Sequence, residues 1–172
     1  MNIVLMGYRG TGKSSVARLL SQRLGRSLVN IDGEIIKKTG MPITDIVQKK
    51  GWDKFREIES EITEHVSKFD GYIIDCGGGI IVNDKNIVNL KKNGKIFWLK
   101  AQVDTIIGRI KEETDRPSLT GDKSFIDEIE AVLKERMPKY KKAADYEVAT
   151  DNFSKEEVAD KIIRILGEEN VI

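Results

Sequence analysis

The residues best suited to chemistry lie near the N-terminus, where Gly7 and Gly12 enclose four residues and are followed by Lys13 and Ser14. This spacing matches G-x-x-x-x-G-K-[ST] in full, with a strand-like segment before it and a helical pattern after it. Glycines let backbone N–H groups turn inward on phosphate oxygens, and the start of a helix adds partial positive charge. We expect Lys13 to reach the β- and γ-phosphates and the Ser14 hydroxyl to bind Mg²⁺. The pattern therefore predicts a nucleoside triphosphate site.

The loop alone identifies neither the nucleotide base nor the molecule that accepts the phosphoryl group. GTPases share it, and Asp75-Cys76-Gly77-Gly78 fits the D-x-x-G pattern that those proteins place at the γ-phosphate. The N-K-x-D pattern that would bind guanine does not follow it in the sequence. ATP is therefore the predicted nucleotide.

Five further features could build a site for the acceptor, although each also has an ordinary structural explanation. They are Asp32 after the second strand, Arg56 on a helix, the triple glycine 77–79, and Arg116 and Arg136 in later segments. Asp32 could instead cap a helix, the glycines could serve only a tight turn, and the arginines could be solvated charges. In a doubly wound sheet, however, Asp32 would project at the carboxyl edge of the strands, where ligands bind.

Short β-rich runs alternate along the chain with longer segments of helical period, which predicts an α/β fold with a parallel sheet and helices on both faces. The first helix should begin at the phosphate loop and stop at Gly25. A capping box at Ser154 should open the last helix. The predicted strands are Asn2–Met6, Ser27–Ile31, Tyr72–Cys76, Lys95–Leu99 and Tyr146–Ala149.

Two segments interrupt this alternation. A helical insert over about residues 33–68, punctuated by Thr39-Gly40, Pro42 and Gly51, could form a substrate-facing lobe, with a long helix over about 52–68. The segment over about 112–124 lacks a periodic apolar face, so it could be a mobile lid over the site or a plain surface loop.

Length and composition indicate one ordinary globular domain over residues 1–172. The 29 basic and 28 acidic residues leave a formal charge of +1, which favours neither nucleic acid nor anionic lipid as a partner. No apolar run approaches the roughly 20 residues that cross a bilayer, so we expect a cytoplasmic protein, and we expect a monomer. Cys76 is expected to be a buried structural thiol, and His65 to have a structural or surface role.

Taken together and in order, these motifs resemble those of the shikimate kinase family across nearly the full length of the chain. The family's phosphate loop is similar to Gly7–Ser14, and its F-R-x-x-E motif is similar to Phe55–Glu59. Its triple glycine corresponds to residues 77–79, its lid R-P to Arg116-Pro117, and its E-R-x-P-x-Y to Glu135–Tyr140.

The resemblance implies a three-layer P-loop NTPase fold of the nucleoside-monophosphate-kinase type, with the phosphate-loop strand in the middle of five parallel strands. It implies ATP-dependent phosphorylation of the shikimate 3-hydroxyl, a step toward chorismate and the aromatic amino acids, with Mg²⁺ as cofactor. Lys13, Asp32 and Arg116 would be catalytic, and Asp32 would hold the reacting hydroxyl. Arg56 and Arg136 would clamp the shikimate carboxylate, and the triple glycine Gly77, Gly78 and Gly79 would contact the ring. The residues implied for ATP are Gly10, Thr11, Gly12, Lys13, Ser14, Ser15, Arg109, Arg116 and Asn152, of which Ser14 would also bind the metal.

The chain departs from the family at one position. The family usually has two aspartates around one residue after the second strand, D-x-D, whereas this chain has Asn30-Ile31-Asp32. In the family the first aspartate faces Mg²⁺ and its waters, so Asn30 removes a negative charge there. We expect weaker or altered metal dependence, compensated in part by Asp75 at the end of the third strand. Two alternatives stay open: a kinase for another small carboxylate polyol such as gluconate, and a non-catalytic ATP-binding module.

Overall fold

Five parallel strands form the central sheet of the computed structural model, which describes residues 1–111 and 125–169. Their order across the sheet is β2-β3-β1-β4-β5, so the strand that leads into the phosphate loop lies in the middle, as predicted. The strands are β1 Asn2–Met6, β2 Leu28–Asn30, β3 Ile73–Asp75, β4 Gly94–Lys100 and β5 Tyr146–Ala149.

The described part of the chain contains seven α-helices. Gly25 ends the first with a left-handed φ of 63°, and Ser154 opens the last with a capping box, so both predicted helix ends are confirmed. The helices are α1 Lys13–Leu24, α2 Ile31–Thr39, α3 Ile43–Val66, α4 Asp84–Lys92, α5 Val103–Lys111, α6 Phe125–Ala143 and α7 Lys155–Glu168.

The sequence predicts all five strands of the sheet, but the exact bounds of only two of them. β1 and β5 have the predicted bounds, whereas β2 and β3 are one residue shorter at each end and β4 is one residue longer at each end. β2 stops early because Ile31 already belongs to α2, for which Asn30 is the N-cap. The Asn30 side chain accepts a hydrogen bond from the backbone N–H of Gly33 at 2.7 Å.

The predicted helical insert consists of α2 and α3. The long helix predicted over about 52–68 corresponds to the part of α3 that follows Gly51 and ends at Val66, whereas α3 as a whole begins earlier, at Ile43. Gly51 interrupts α3 with a φ of 81° and a ψ of 166°, a conformation that only glycine adopts without strain. The break separates a short first part of α3 from the longer part that carries Arg56.

Successive side chains along each strand point to opposite faces of the sheet, and each face has its own hydrophobic core. On one face, Val4 and Ile74 pack under α3. On the other face, Ile3 and Ile73 pack under α1 and α7. This alternation gives three layers and fixes which layer each strand-end side chain faces.

The carboxyl ends of the parallel strands meet at one edge, where α/β proteins bind their ligands. The phosphate loop follows β1 there, α2 follows β2, and the triple glycine follows β3. The predicted lid over about 112–124, which includes Arg116, lies outside the described residues. Among the described helices, none is long and apolar enough to cross a membrane.

Candidate active site

The phosphate loop turns directly from β1 into the start of α1. Gly12 is the N-cap of α1 and has a φ of 85°. Because glycine has no side chain, it cannot cap the helix, and the first turn of α1 contains no acidic residue that could do so. The backbone N–H groups of that turn therefore remain available to an anion. Inside the loop, the Thr11 hydroxyl and the Lys13 ammonium both donate to the Tyr8 carbonyl, at 2.8 and 2.9 Å.

A cavity of about 430 Å³ opens at this turn, and we call it the phosphate-loop cavity. Among the described residues its lining includes five basic side chains and no acidic one, so it favours a polyanion. Ser14 and Ser15 lie in its wall beside the loop glycines. The basic residues are Arg9, Lys13, Arg18, Arg109 and Lys155.

Arg109 joins two sides of the phosphate-loop cavity. Its guanidinium donates to the Gly10 carbonyl at 3.2 Å and to the hydroxyl and carbonyl of Thr150 at 3.1 and 2.7 Å. Phe153 lines the same cavity and is 47% exposed, so its ring offers a surface for a base. Asn152 is exposed and is not part of the described lining, so its predicted contact with ATP has no support in this geometry.

The triple glycine after β3 brings three chain segments together because it has no side chains. A Cβ on Gly79 would lie 2.2 Å from Nη2 of Arg56, and a Cβ on Gly77 would lie 2.7 Å from Oδ1 of Asp32. The Gly78 carbonyl accepts hydrogen bonds from Nη1 of Arg136, at 3.1 Å, and from the Tyr140 hydroxyl. The turn thus assembles Asp32, Arg56 and Arg136 from α2, α3 and α6.

Arg56 is held in place on more than one side. Its Nη1 donates to Oε2 of Glu59 at 2.6 Å, and its guanidinium lies 4.9 Å from the ring centre of Phe55 and 5.3 Å from that of Trp52. Glu59 is only 1% exposed. Burial raises the pKa of the Glu59 carboxyl, the Arg56 charge opposes this shift, and the nearby Asp32 charge adds to it. The charges of Arg56 and Asp32 therefore both act on Glu59.

These residues line a second cavity of about 100 Å³, which we call the arginine cavity. Three arginines and two carboxyl groups face it, and aromatic and apolar side chains complete its wall, so it suits a small molecule with both an anionic group and a hydrophobic ring. The described lining is Tyr8, Arg9, Asp32, Ile43, Trp52, Phe55, Arg56, Glu59, Gly77, Gly78, Gly79 and Arg136.

Arg9 lines both cavities, so the two share a wall at the phosphate loop. Its Nη2 lies 3.3 Å from Oε1 of Glu128 on α6, and both side chains are at least nine-tenths buried. This ion pair therefore links the wall between the two cavities to α6.

A nucleotide-bound Mg²⁺ fits the oxygen atoms at this edge. Within residues 1–111 and 125–169, no three His, Cys, Asp or Glu side chains gather to hold a metal by themselves. Mg²⁺ beside a nucleotide needs no such cluster, because phosphates and waters fill most of its coordination positions. The Ser14 hydroxyl is exposed in the first turn of α1, and the buried Asp75 carboxylate ends β3 next to β1.

The sequence motifs assign no role to three residues of the site. Arg9 occupies a variable position of the loop pattern, so the pattern carries no information about it. Glu59 follows Arg56 by three residues on a helix, a spacing that could have revealed the ion pair. Tyr140 lies within the last motif, but only the fold shows that its hydroxyl reaches the Gly78 carbonyl.

Cys76 is 2% exposed, which confirms the predicted buried thiol.

Comparison with known proteins agrees with this geometry. The family model for shikimate kinase matches residues 9–167. The shikimate kinases of Caldicellulosiruptor bescii and Thermodesulfovibrio yellowstonii are 41% and 42% identical over 165 and 163 residues; each alignment covers 95% of this chain and 94% and 93% of those proteins. The solved shikimate kinase of Acinetobacter baumannii in complex with shikimate has a TM-score of 0.93 at 30% identity, covering 99% of this chain and 95% of that one. This chain has the P-loop NTPase α/β fold and belongs to the shikimate kinase family.

Proposed function

We propose that this chain transfers the γ-phosphoryl group of ATP to the 3-hydroxyl of shikimate, giving shikimate 3-phosphate and ADP. The observation that carries the proposal is the shared wall at Arg9, which places a polyanion cavity directly beside a small cavity with paired arginines. The proposal is supported by family membership and by the Acinetobacter baumannii relative, whose solved structure contains shikimate.

The arginine cavity matches the charges of shikimate. Arg56 and Arg136 reach the triple glycine from two different helices, and a planar carboxylate between them would accept hydrogen bonds from both guanidinium groups. The Trp52 and Phe55 rings supply an apolar surface for the ring of the substrate. Asp32 lies across the turn, where its carboxylate can accept a hydrogen bond from a ring hydroxyl. This combination orients the acceptor and selects for a carboxylate.

The chemical step requires position and charge neutralisation more than a strong base. The hydroxyl oxygen attacks the γ-phosphorus, the bond to the β–γ bridging oxygen breaks, and ADP leaves with those electrons. Asp32 accepts the hydroxyl proton as the new bond forms; no strong base is needed because the transition state is loose. Lys13, and Arg116 of the predicted lid, neutralise charge on the transferring group. Ser14 would hold Mg²⁺, which would supply further positive charge to the phosphates.

ATP would place its phosphates over the first turn of α1 and its base near Phe153. Residues 10–15 of the loop and α1 would hold the phosphates through backbone N–H groups and side-chain oxygens. Arg109 would flank the base while it ties Gly10 to Thr150. We further propose a monomeric enzyme of the cytoplasm; the free thiol of Cys76 suits a reducing compartment, and described residues of one chain line both cavities.

ADP release with Mg-ATP, measured with and without shikimate, tests the proposal. Gluconate and quinate serve as alternative acceptors, because both carry a carboxylate and several hydroxyl groups. We expect a large rate with shikimate and little stimulation by the other two. A comparable rate with gluconate would transfer the proposal to that acceptor. Intact ATP binding without stimulation by any of the three would favour a non-catalytic module.

Replacing Arg136 with alanine separates binding from chemistry. The change removes one charge-assisted clamp on the acceptor, so the KM for shikimate should rise by about 10- to 100-fold while the KM for ATP stays within about twofold. Replacing the neighbouring Lys139, which is exposed on α6, is the matched control and should change neither constant. An unchanged KM for shikimate in the Arg136 variant would contradict the clamp.

A further inference from the structure

Asn30 and Asp75 form a hydrogen-bonded pair at the edge of the sheet. They are the last residues of β2 and β3 and lie opposite each other in the register of the two strands. Nδ2 of Asn30 donates to Oδ2 of Asp75 at 2.7 Å, and Oδ1 of Asn30 caps α2. The amide therefore uses both of its ends, and its orientation is fixed.

The pair faces the layer that contains α1. Side chains alternate along a strand, so Asp75 lies on the same face of the sheet as Ile73. Ile73 packs with Val16 and Leu20 of α1, whereas Ile74 packs in the core on the other face. β3 also pairs with β1, which leads into the phosphate loop. The Asp75 carboxylate is thus directed to the side of the sheet where the first turn of α1 begins.

Asp75 is 2% exposed, and among the described residues the Asn30 amide is its one side-chain hydrogen-bond donor. A buried carboxylate is costly unless other positive groups or donors compensate it. One oxygen bonded by Asn30 leaves the second with capacity for the waters of a metal ion. An aspartate at position 30 would instead bring two carboxylates within about 3 Å of each other and destabilise both charges.

We infer that Asp75 supplies the negative charge that binds nucleotide-bound Mg²⁺ through its coordinated waters, with Asn30 as the neutral residue that positions it. The inference rests on the proposed function only in assuming a Mg-nucleotide at the phosphate loop. P-loop NTPases of other kinds place an aspartate at the end of a strand beside the loop for this purpose. The charge thus stands on β3 here, where the usual family pattern has it on β2.

Metal affinity of the ADP complex is the direct test, because it needs no acceptor and no turnover. Mn²⁺ replaces Mg²⁺ as the probe, and electron paramagnetic resonance measures its free concentration in the presence of protein and ADP. We expect Asp75→Asn to weaken Mn²⁺ binding by about 10- to 100-fold, the usual effect of losing a group that bonds a metal's ligands. ADP affinity in EDTA, measured by calorimetry, should not fall, since the change removes a negative charge near the phosphates.

A structural role gives a different result. If Asp75 only held Asn30 and the start of α2, then Asp75→Asn would lower stability, or weaken ADP binding equally with and without metal. Asp84→Asn, which removes an exposed aspartate from the first turn of α4, is the matched control and should leave Mn²⁺ affinity unchanged. Unchanged Mn²⁺ affinity in a folded Asp75→Asn protein overturns the inference.

Exchanging the two residues tests it independently of the single variant. The double variant Asn30→Asp with Asp75→Asn keeps one carboxylate and one amide in hydrogen-bond contact and should restore Mn²⁺ affinity to within about threefold of the original protein. Asn30→Asp alone should lower stability in metal-free buffer, and MnADP should recover it, because the metal offsets two adjacent charges. If the double variant does not regain Mn²⁺ affinity and MnADP does not restore the stability of Asn30→Asp, the inference is overturned, even if Asp75→Asn does not fold. Absence of shikimate phosphorylation would leave these binding results intact, so the two failures are distinguishable.

Discussion

Gly79→Ala should displace Arg56 by adding one methyl group. Gly79 has a φ of −101°, which any residue adopts, so alanine introduces no backbone strain. The new Cβ would lie 2.2, 2.3 and 2.4 Å from the Nη2, Nη1 and Cζ atoms of Arg56. The guanidinium would have to retreat by about 1.2 Å to reach ordinary contact distance. Glu59 and the aromatic rings beside Arg56 resist that movement.

The size of the effect follows from the bond that is lost. A charge-assisted hydrogen bond is worth about 1.5–3 kcal/mol, and each 1.4 kcal/mol is about a tenfold change in affinity. We therefore expect the Kd and KM for shikimate to rise by roughly 10- to 150-fold. The KM for ATP should stay within about twofold, because Gly79 lines only the arginine cavity.

Two assays check this result. Coupled ADP release gives both KM values, and fluorescence of Trp52, which lines the arginine cavity, reports shikimate binding directly. Gly108→Ala on α5 is the control, because a Cβ there meets no atom within 4 Å; it should leave both constants unchanged and slightly stabilise its helix. A shikimate Kd within twofold of the original value in a folded Gly79→Ala protein would refute the assignment of Arg56 to the acceptor.

Three further predictions concern groups in or beside the arginine cavity. Asp32→Asn should lower kcat by about 10²- to 10⁴-fold with small changes in both KM values, and a kcat loss below fivefold would show that this carboxylate does not take the proton. Burial raises the pKa of the Glu59 carboxyl above its ordinary value of 4.5, so the native protein binds the carboxyl proton more tightly than the unfolded chain does. The stability that this proton contributes is therefore present at low pH and is lost as pH rises through the raised pKa. Glu59→Gln should remove this component, so the difference in unfolding free energy between original and variant protein, measured in urea, should fall across that range; a difference independent of pH contradicts it. Burial raises the pKa of Cys76 well above its ordinary value, so iodoacetamide should label it only after unfolding, whereas rapid labelling in native buffer would place the thiol at the surface.

The fold could be predicted from the sequence because local patterns agree with one another. Alternation of strands and helices gave the parallel sheet, and the glycine at position 25 and the capping box at Ser154 marked helix ends correctly. The ends of the strands were harder to predict from the sequence, because pairing with neighbouring strands decides where each strand ends. At Asn30 the side chain caps α2, and this competing hydrogen bond ends β2 one residue before the apolar run does.

The site was only partly predictable. Residue types and their spacing indicate the phosphate loop, because one short segment of the sequence supplies most of the groups that would contact the phosphates. The arginine cavity instead combines residues from α2, α3 and α6, and only the fold brings Arg136 within 3.1 Å of the Gly78 carbonyl. Arg9 shows the limit most clearly: its place in the loop pattern accepts any residue, yet its side chain forms the wall between the two cavities.

The end of β3 connects the two halves of the reaction. Asp75 faces the α1 layer, where the phosphates and metal belong, and two residues later Gly77 admits Asp32 on the acceptor side. Gly79 then admits Arg56. Because residues 75, 77 and 79 of one short segment set both positions, a shift of its backbone would move the metal-facing charge and the acceptor-holding groups together. Substitutions that move the backbone of this segment, unlike Gly79→Ala, should therefore couple metal affinity to acceptor affinity more strongly than substitutions in the phosphate loop.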